Sequence, residues 1–277
     1  MSAPSAARAV LAVASNHLRM MSRTPFYLLM DLALPLLIAA VPMLLGRSFA
    51  GPGASSAFSA NTGTNNPFLF MLLGSTQFVL VGGALFNVGS WVRRELQAGT
   101  LESVFATPNQ RVTIVLGVCV YGLLKDLAIL VVSLSVACLV LGARSFDLRV
   151  VAAIGWMVLG AIPTYAMAVA YAALVLQLRE VSALTQLLQG ATGLLMGVFF
   201  PVEILPKPLQ VLAWCFPPTW SIHGMRSLLL GMSWRLGALE RDLSVMLALA
   251  VIFPVLALLL FRRAEEKLLA AGGFGGL

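Results

Sequence analysis

Three charges interrupt stretches that are otherwise apolar: Asp31, Lys125 and Asp126. Charge inside a membrane span is costly and is kept where it pairs, or where it handles ions or protons. Lys125 and Asp126 are neighbours, so on a helix they point about 100° apart and make a poor pair with each other. Two readings stay open. Lys125 snorkels or finds a carboxylate on another helix, giving a structural ion pair, or these groups handle substrate or protons.

Other chemistry is sparse. The histidines, His17 and His223, are far apart in sequence. Cys119 and Cys138 fall on one helix roughly 28 Å apart, too far to bond, and Cys215 has no evident partner. No metal cluster, Ser-His-Asp arrangement or carboxylate pair is visible, which leaves an intramembrane enzyme without a nucleophile and base. None of Lys125, Lys207 and Lys267 follows a glycine, so the phosphate-binding G-x-x-x-x-G-K-[ST] loop is missing. No cofactor is expected on this chain.

The elements that carry these residues are membrane helices. Of 277 residues, 60% are hydrophobic and 10% charged, with a mean hydropathy of +0.94; a soluble domain is nearer half and a quarter. At roughly 20 apolar residues per crossing, six spans are predicted: 26–45, 68–92, 112–141, 150–178, 181–202 and 243–261. A further apolar stretch, 207–226, is broken by Pro217 and Pro218. It reads as two half-length re-entrant pieces, because two missing donors would leave carbonyls unsatisfied in lipid.

The stretch 46–67 is rich in Gly, Ser, Asn and Pro and reads as a loop. In the first 25 residues, Arg8, Ala12, Ser15, Arg19 and Ser22 form one small or polar stripe, with Val10, Val13, His17 and Met20 on another face. That pattern suits an interfacial helix on the cytoplasmic membrane surface. Arg19 and Arg23 stand where a signal-peptide cleavage site would need small residues. Residues 263–277 form a tail on the same side.

Lys and Arg outnumber Asp and Glu by 18 to 11. With six spans, ten basic residues fall on the side of the termini and seven opposite. The positive-inside rule therefore places the termini in the cytoplasm and removes the need for a nucleic-acid partner.

Two spans carry small or polar faces. Thr76, Gly83, Asn87 and Ser90 recur at helical spacing in the second, and Gln186, Gly190, Gly193 and Gly197 in the fifth. Such faces pack helices closely; alternatively Thr76, Gly83, Asn87, Gln186 and Gly190 line a substrate path between subunits.

Between the second and third spans runs "WVRRELQAGTLESVFATPNQ", with four charges: Arg93, Arg94, Glu95 and Glu102. Gly99 permits a sharp turn and Thr100 is a good N-cap. Glu102 falls in the first turn, where the helix dipole favours a carboxylate. Leu101, Val104 and Phe105 share a face, and Pro108 ends the element at Thr107. A helix of about two turns results, lying across the cytoplasmic ends of two spans.

"RRELQAGTLESVFATP" resembles the signature of the type-2 ATP-binding-cassette (ABC) exporter permeases, and "FFPVEILPKPLQVLAWCFPPTWSIHGMRSLLLG" resembles that family's region before the last span. The two motifs, in order and with six spans, extend the resemblance over nearly the whole chain. It departs after Gly117, where Val118 stands at a place the family often gives to a basic residue.

The resemblance implies an all-α integral membrane protein with six transmembrane helices, an N-terminal interfacial helix, a short cytoplasmic coupling helix and re-entrant helices at the outer face. It implies that Glu95, Gly99, Thr100, Leu101, Glu102, Thr107 and Pro108 contact a separate ATPase subunit holding ATP and Mg. Pro201, Pro206, Pro218 and Arg226 shape the outer segment. The expected partners are that ATPase, a second permease copy or homologous permease, and membrane lipid. The expected setting is a bacterial plasma membrane, and the expected activity is export of a drug, antibiotic, lipid or other amphipathic compound. A rival reading is an ion- or proton-coupled secondary transporter using Asp31, Lys125 and Asp126.

Overall fold

The computed structural model describes residues 6–23, 25–50, 53–97, 111–141, 148–175, 182–231 and 236–270. They form α1 (Ala6–Ser22), α2 (Pro25–Ala50), α3 (Gly53–Thr62), α4 (Pro67–Gln97), α5 (Arg111–Leu141), α6 (Leu148–Val175) and α7 (Ser182–Leu195). A 3-10 turn (Val202–Ile204), α8 (Lys207–Cys215), α9 (Pro217–Leu230) and α10 (Leu236–Ala270) follow. The chain is an all-α membrane protein.

Five of these helices, α2, α4, α5, α6 and α10, are long and apolar enough to cross a membrane. Among the described residues the fifth expected span, 181–202, is helical over the 14 residues of α7; residues 176–181 lie outside them. The helix stops because the chain turns at Gly197, whose φ of +70° lies in the left-handed region. Pro201 then takes an extended conformation at the start of the 3-10 turn. Residues 196–202 are as apolar as a span but form a turn.

The loop predicted over 46–67 is also corrected. α2 continues to Ala50 and Gly53–Thr62 is helical. Its anchor is Phe58, packed edge-on against Phe70 at 5.4 Å between ring centroids. After α3 the chain re-enters α4 through an N-cap: Asn66 Oδ1 accepts from the Leu69 amide at 3.1 Å, with Pro67 in the first helical position.

α4 is the inner helix of the bundle, packed on by α2, α5, α6, α7 and α9. Its membrane window is 78% buried, against 11% for those of α2 and α10, so these two turn broad apolar faces outward. α1 is helical as expected, but its apolar face is covered by α5. A Cβ on Gly117 would lie 2.6 Å from Val13 Cβ, so only glycine admits this approach, and His17 stacks near Tyr121 at 5.2 Å.

The re-entrant stretch breaks at Phe216, between α8 and α9. Helix ends in an apolar setting need partners for their free carbonyls. Here Thr219 Oγ1 donates to Ala213 O at 2.6 Å and Trp220 Nε1 to Trp214 O at 2.8 Å. The prolines open α9 where their missing N–H groups cost nothing.

Candidate functional site

α5 brings its two adjacent charges to different neighbours. Lys125 Nζ donates to Asp31 Oδ2 on α2 at 2.9 Å. Asp126, 1% exposed, accepts from the Tyr165 hydroxyl of α6 through Oδ2 at 2.6 Å. The roughly 100° between successive helical residues thus lets one helix tie two others. Of the two readings offered by the sequence, the geometry supplies the inter-helix ion pair. Such a pair fixes position more than it adds stability, since desolvation offsets most of the attraction.

Of the residues expected to line a path, Thr76 is buried and its hydroxyl donates to Leu72 O at 2.8 Å. Gly83 and Asn87 face the charges of α5. Gln186 and Gly190 stand exposed on α7. α4 and α7 meet elsewhere, with the Gln189 amide against Gly82 and the Phe78 ring against Gly193. The α4 set and the α7 set are not brought together within one chain. Gly197 forms the turn, and the Ser90 side chain lies outside the described residues.

At the other end of α4, Arg226 of α9 is 6% exposed and makes four hydrogen bonds. Nε and Nη2 donate to Phe70 O at 3.2 and 3.0 Å, Nη1 to Gly197 O at 2.8 Å, and Nη2 to Val198 O at 2.7 Å. The guanidinium carbon lies 3.4 Å above the centre of the Phe70 ring. One side chain therefore serves carbonyls of the turn that follows α7 and binds that turn to α4. Gly74 completes the knot: a Cβ there would collide with Val198 O and Arg226 Nη2. Pro206 caps α8, and Pro218 lies in the first turn of α9. Phe70 and Gly74 had no marker in the sequence, because what they supply is a backbone oxygen, a ring face and an absence of side chain.

Nearby, His223 Nδ1 and Asp242 Oδ2 are 2.9 Å apart, with the Trp214 ring edge-on to the imidazole at 5.5 Å. A cavity of about 350 Å³ opens here, lined in part by Asn61, Glu203, Trp214, His223 and Arg226. The sequence shows only that His223 lies far from His17; its partner, Asp242, is 19 residues on, in α10.

Of the expected ATPase contact, Glu95 belongs to the last turn of α4, but its side chain lies outside the described residues. Gly99, Thr100, Leu101, Glu102, Thr107 and Pro108 lie wholly outside them. Among the described residues no group of three or more His, Cys, Asp or Glu could hold a metal ion.

A family model described as ABC-2 type transporter matches residues 8–230, from α1 through the end of α9. No curated protein matches the chain.

Proposed function

The chain belongs to the ABC-2 type transporter family, and from that premise we propose that it is the permease of an ATP-driven exporter in a bacterial plasma membrane. The family itself gives the coarser statement: a multi-pass transmembrane subunit of an ABC transporter, not itself catalytic, that works with an ABC ATPase subunit. Export, the coupling helix and the cargo class are our reading. The observation that carries it is the match over residues 8–230, which encloses the 93–108 motif.

In this reading two permeases, identical or homologous, enclose the path. Exposed Gln186 and Gly190 on α7 support a path between chains, since a primary amide facing hydrocarbon is costly. Residues 99–108 transmit the ATPase stroke, with ATP and Mg held by the partner subunit. With six crossings, as the family resemblance implies, the ten-to-seven distribution of basic residues puts both termini in the cytoplasm. The cargo is an amphipathic compound such as a drug, antibiotic or lipid.

The buried charges keep a second reading in view, a proton- or ion-coupled carrier. Lys125 already has Asp31 and Asp126 already has Tyr165, which favours architecture over coupling. Leu101→Asp and Glu102→Lys separate the two readings. In the exporter both variants insert normally, while recovery of the ATPase subunit and its hydrolysis rate fall several-fold. A chain that purifies without any ATPase, and whose variants behave as the parent, is not this exporter.

A further inference from the structure

The three heavy atoms nearest to where a Cβ on Gly83 would sit are all polar. They are Asp126 Oδ1 at 3.5 Å, Asn87 Nδ2 at 3.8 Å and Lys125 Nζ at 3.8 Å. Two of them, Asp126 Oδ1 and Asn87 Nδ2, are buried and have no hydrogen-bonding partner among the described residues. One is an acceptor and the other a donor. Lys125 spends one N–H on Asp31 and has others left. Asp126 is anchored at its other oxygen by Tyr165, so Oδ1 is held facing this notch.

An orphan donor and an orphan acceptor around one point are satisfied together by a group that both accepts and donates. We propose that the notch over Gly83, between α4 and α5, is a binding site for one water molecule. That water donates to Asp126 Oδ1, accepts from Asn87 Nδ2 and lies within reach of the Lys125 ammonium. Buried waters occur where two to four polar partners converge, and here three do. Glycine leaves the space; any larger side chain takes it. The inference rests on the packing of α4 against α5 and stands whether or not the chain exports anything.

The test uses the permease purified with its ATPase. At Gly83 an added methyl meets its nearest neighbours at 3.5 Å or more, ordinary contact, so Gly83→Ala folds. It displaces the water and leaves both orphans. Gly83→Ser puts a hydroxyl on the same carbon, able to make the two bonds itself. We expect Gly83→Ala to melt about 2–4 °C below the parent and Gly83→Ser to recover most of that loss. Helix propensity alone gives the opposite order, with alanine above serine and both above glycine. Alanine melting at or above the parent, with serine below alanine, overturns the site. A cryo-electron microscopy map that resolves ordered waters gives the second readout. Density between Asp126 and Asn87 is expected; a direct carboxyl–amide contact with nothing between overturns it.

Discussion

Arg226 and Lys125 are both nearly buried, at 6% and 8% exposure, yet their partners differ in kind. Arg226 spends its hydrogen bonds on three backbone carbonyls and lies on an aromatic face, with Glu203 lining the same cavity. Lys125 is held by the carboxylate of Asp31, with Asp126 beside it. A guanidinium's planar fork presents five donors in fixed directions and so serves several carbonyls of α4 and the turn at once, more than the three donors of an ammonium. It acts as a rivet for irregular backbone. A cation on a carboxylate is one half of a charge-balanced pair, and its neighbour can be changed with it. The knot around Arg226 fixes irregular backbone, and the Lys125–Asp31 pair sets the spacing of α2 and α5.

That contrast is broken most severely at Arg226. Arg226→Ala removes all four hydrogen bonds and strands carbonyls of Phe70, Gly197 and Val198. A loss of about 3–5 kcal/mol is expected, as for breaking a buried charged network, read as collapse of the detergent-solubilised melting curve. Arg226→Lys keeps the charge and still loses most of the effect, since one ammonium cannot bridge α4 and the turn. A lysine variant as stable as the parent would remove the distinction drawn here.

The inner pair responds less, and compensably. Lys125→Met leaves the Asp31 carboxylate without its hydrogen-bonded cation, so a loss of about 1–3 kcal/mol is expected. Lys125→Met combined with Asp31→Asn should recover much of it, because paired removal of buried charge is often near neutral. A double variant no better than the single one would show that the two do not act as a pair. Smaller again is Tyr165→Phe, which deletes one donor to Asp126 and should cost about 1 kcal/mol in the same melting experiment. Topology gives a final check with no stability cost. Single cysteines at Ser55 and Ser103 should label from opposite sides of the membrane, and labelling of both by an impermeant reagent from outside would sink the six-span topology.

Much of the fold could be read from residue order. Length and apolarity located five of the spans, and Pro217 and Pro218 marked the re-entrant break. The stripe on α1 identified its apolar face. What stayed hidden depends on the third dimension. Residues 196–202 are as apolar as any crossing, and only the carbonyl-binding guanidinium 24 residues beyond the run explains why a turn is stable there. The helix at 53–62 lacks an apolar stripe, and its anchor is a ring in the next element. That Lys125 would meet a carboxylate was foreseen as one alternative; that the carboxylate is Asp31 was not, because helix neighbours are not written in sequence distance. The ATPase-contact helix was argued from its own residues and lies outside what the structure describes.

The seat of α1 on α5 has a consequence for biosynthesis. Val13 and its notch at Gly117 are separated by about one hundred residues, which a ribosome adds in roughly 5–20 s. For that interval α1 is made but its partner is not. An amphipathic helix can wait on the membrane surface with its apolar face in the headgroup layer, then exchange lipid for α5 once the third long helix arrives. The surface position read from the sequence would then be α1's first address during synthesis, with α5 its last.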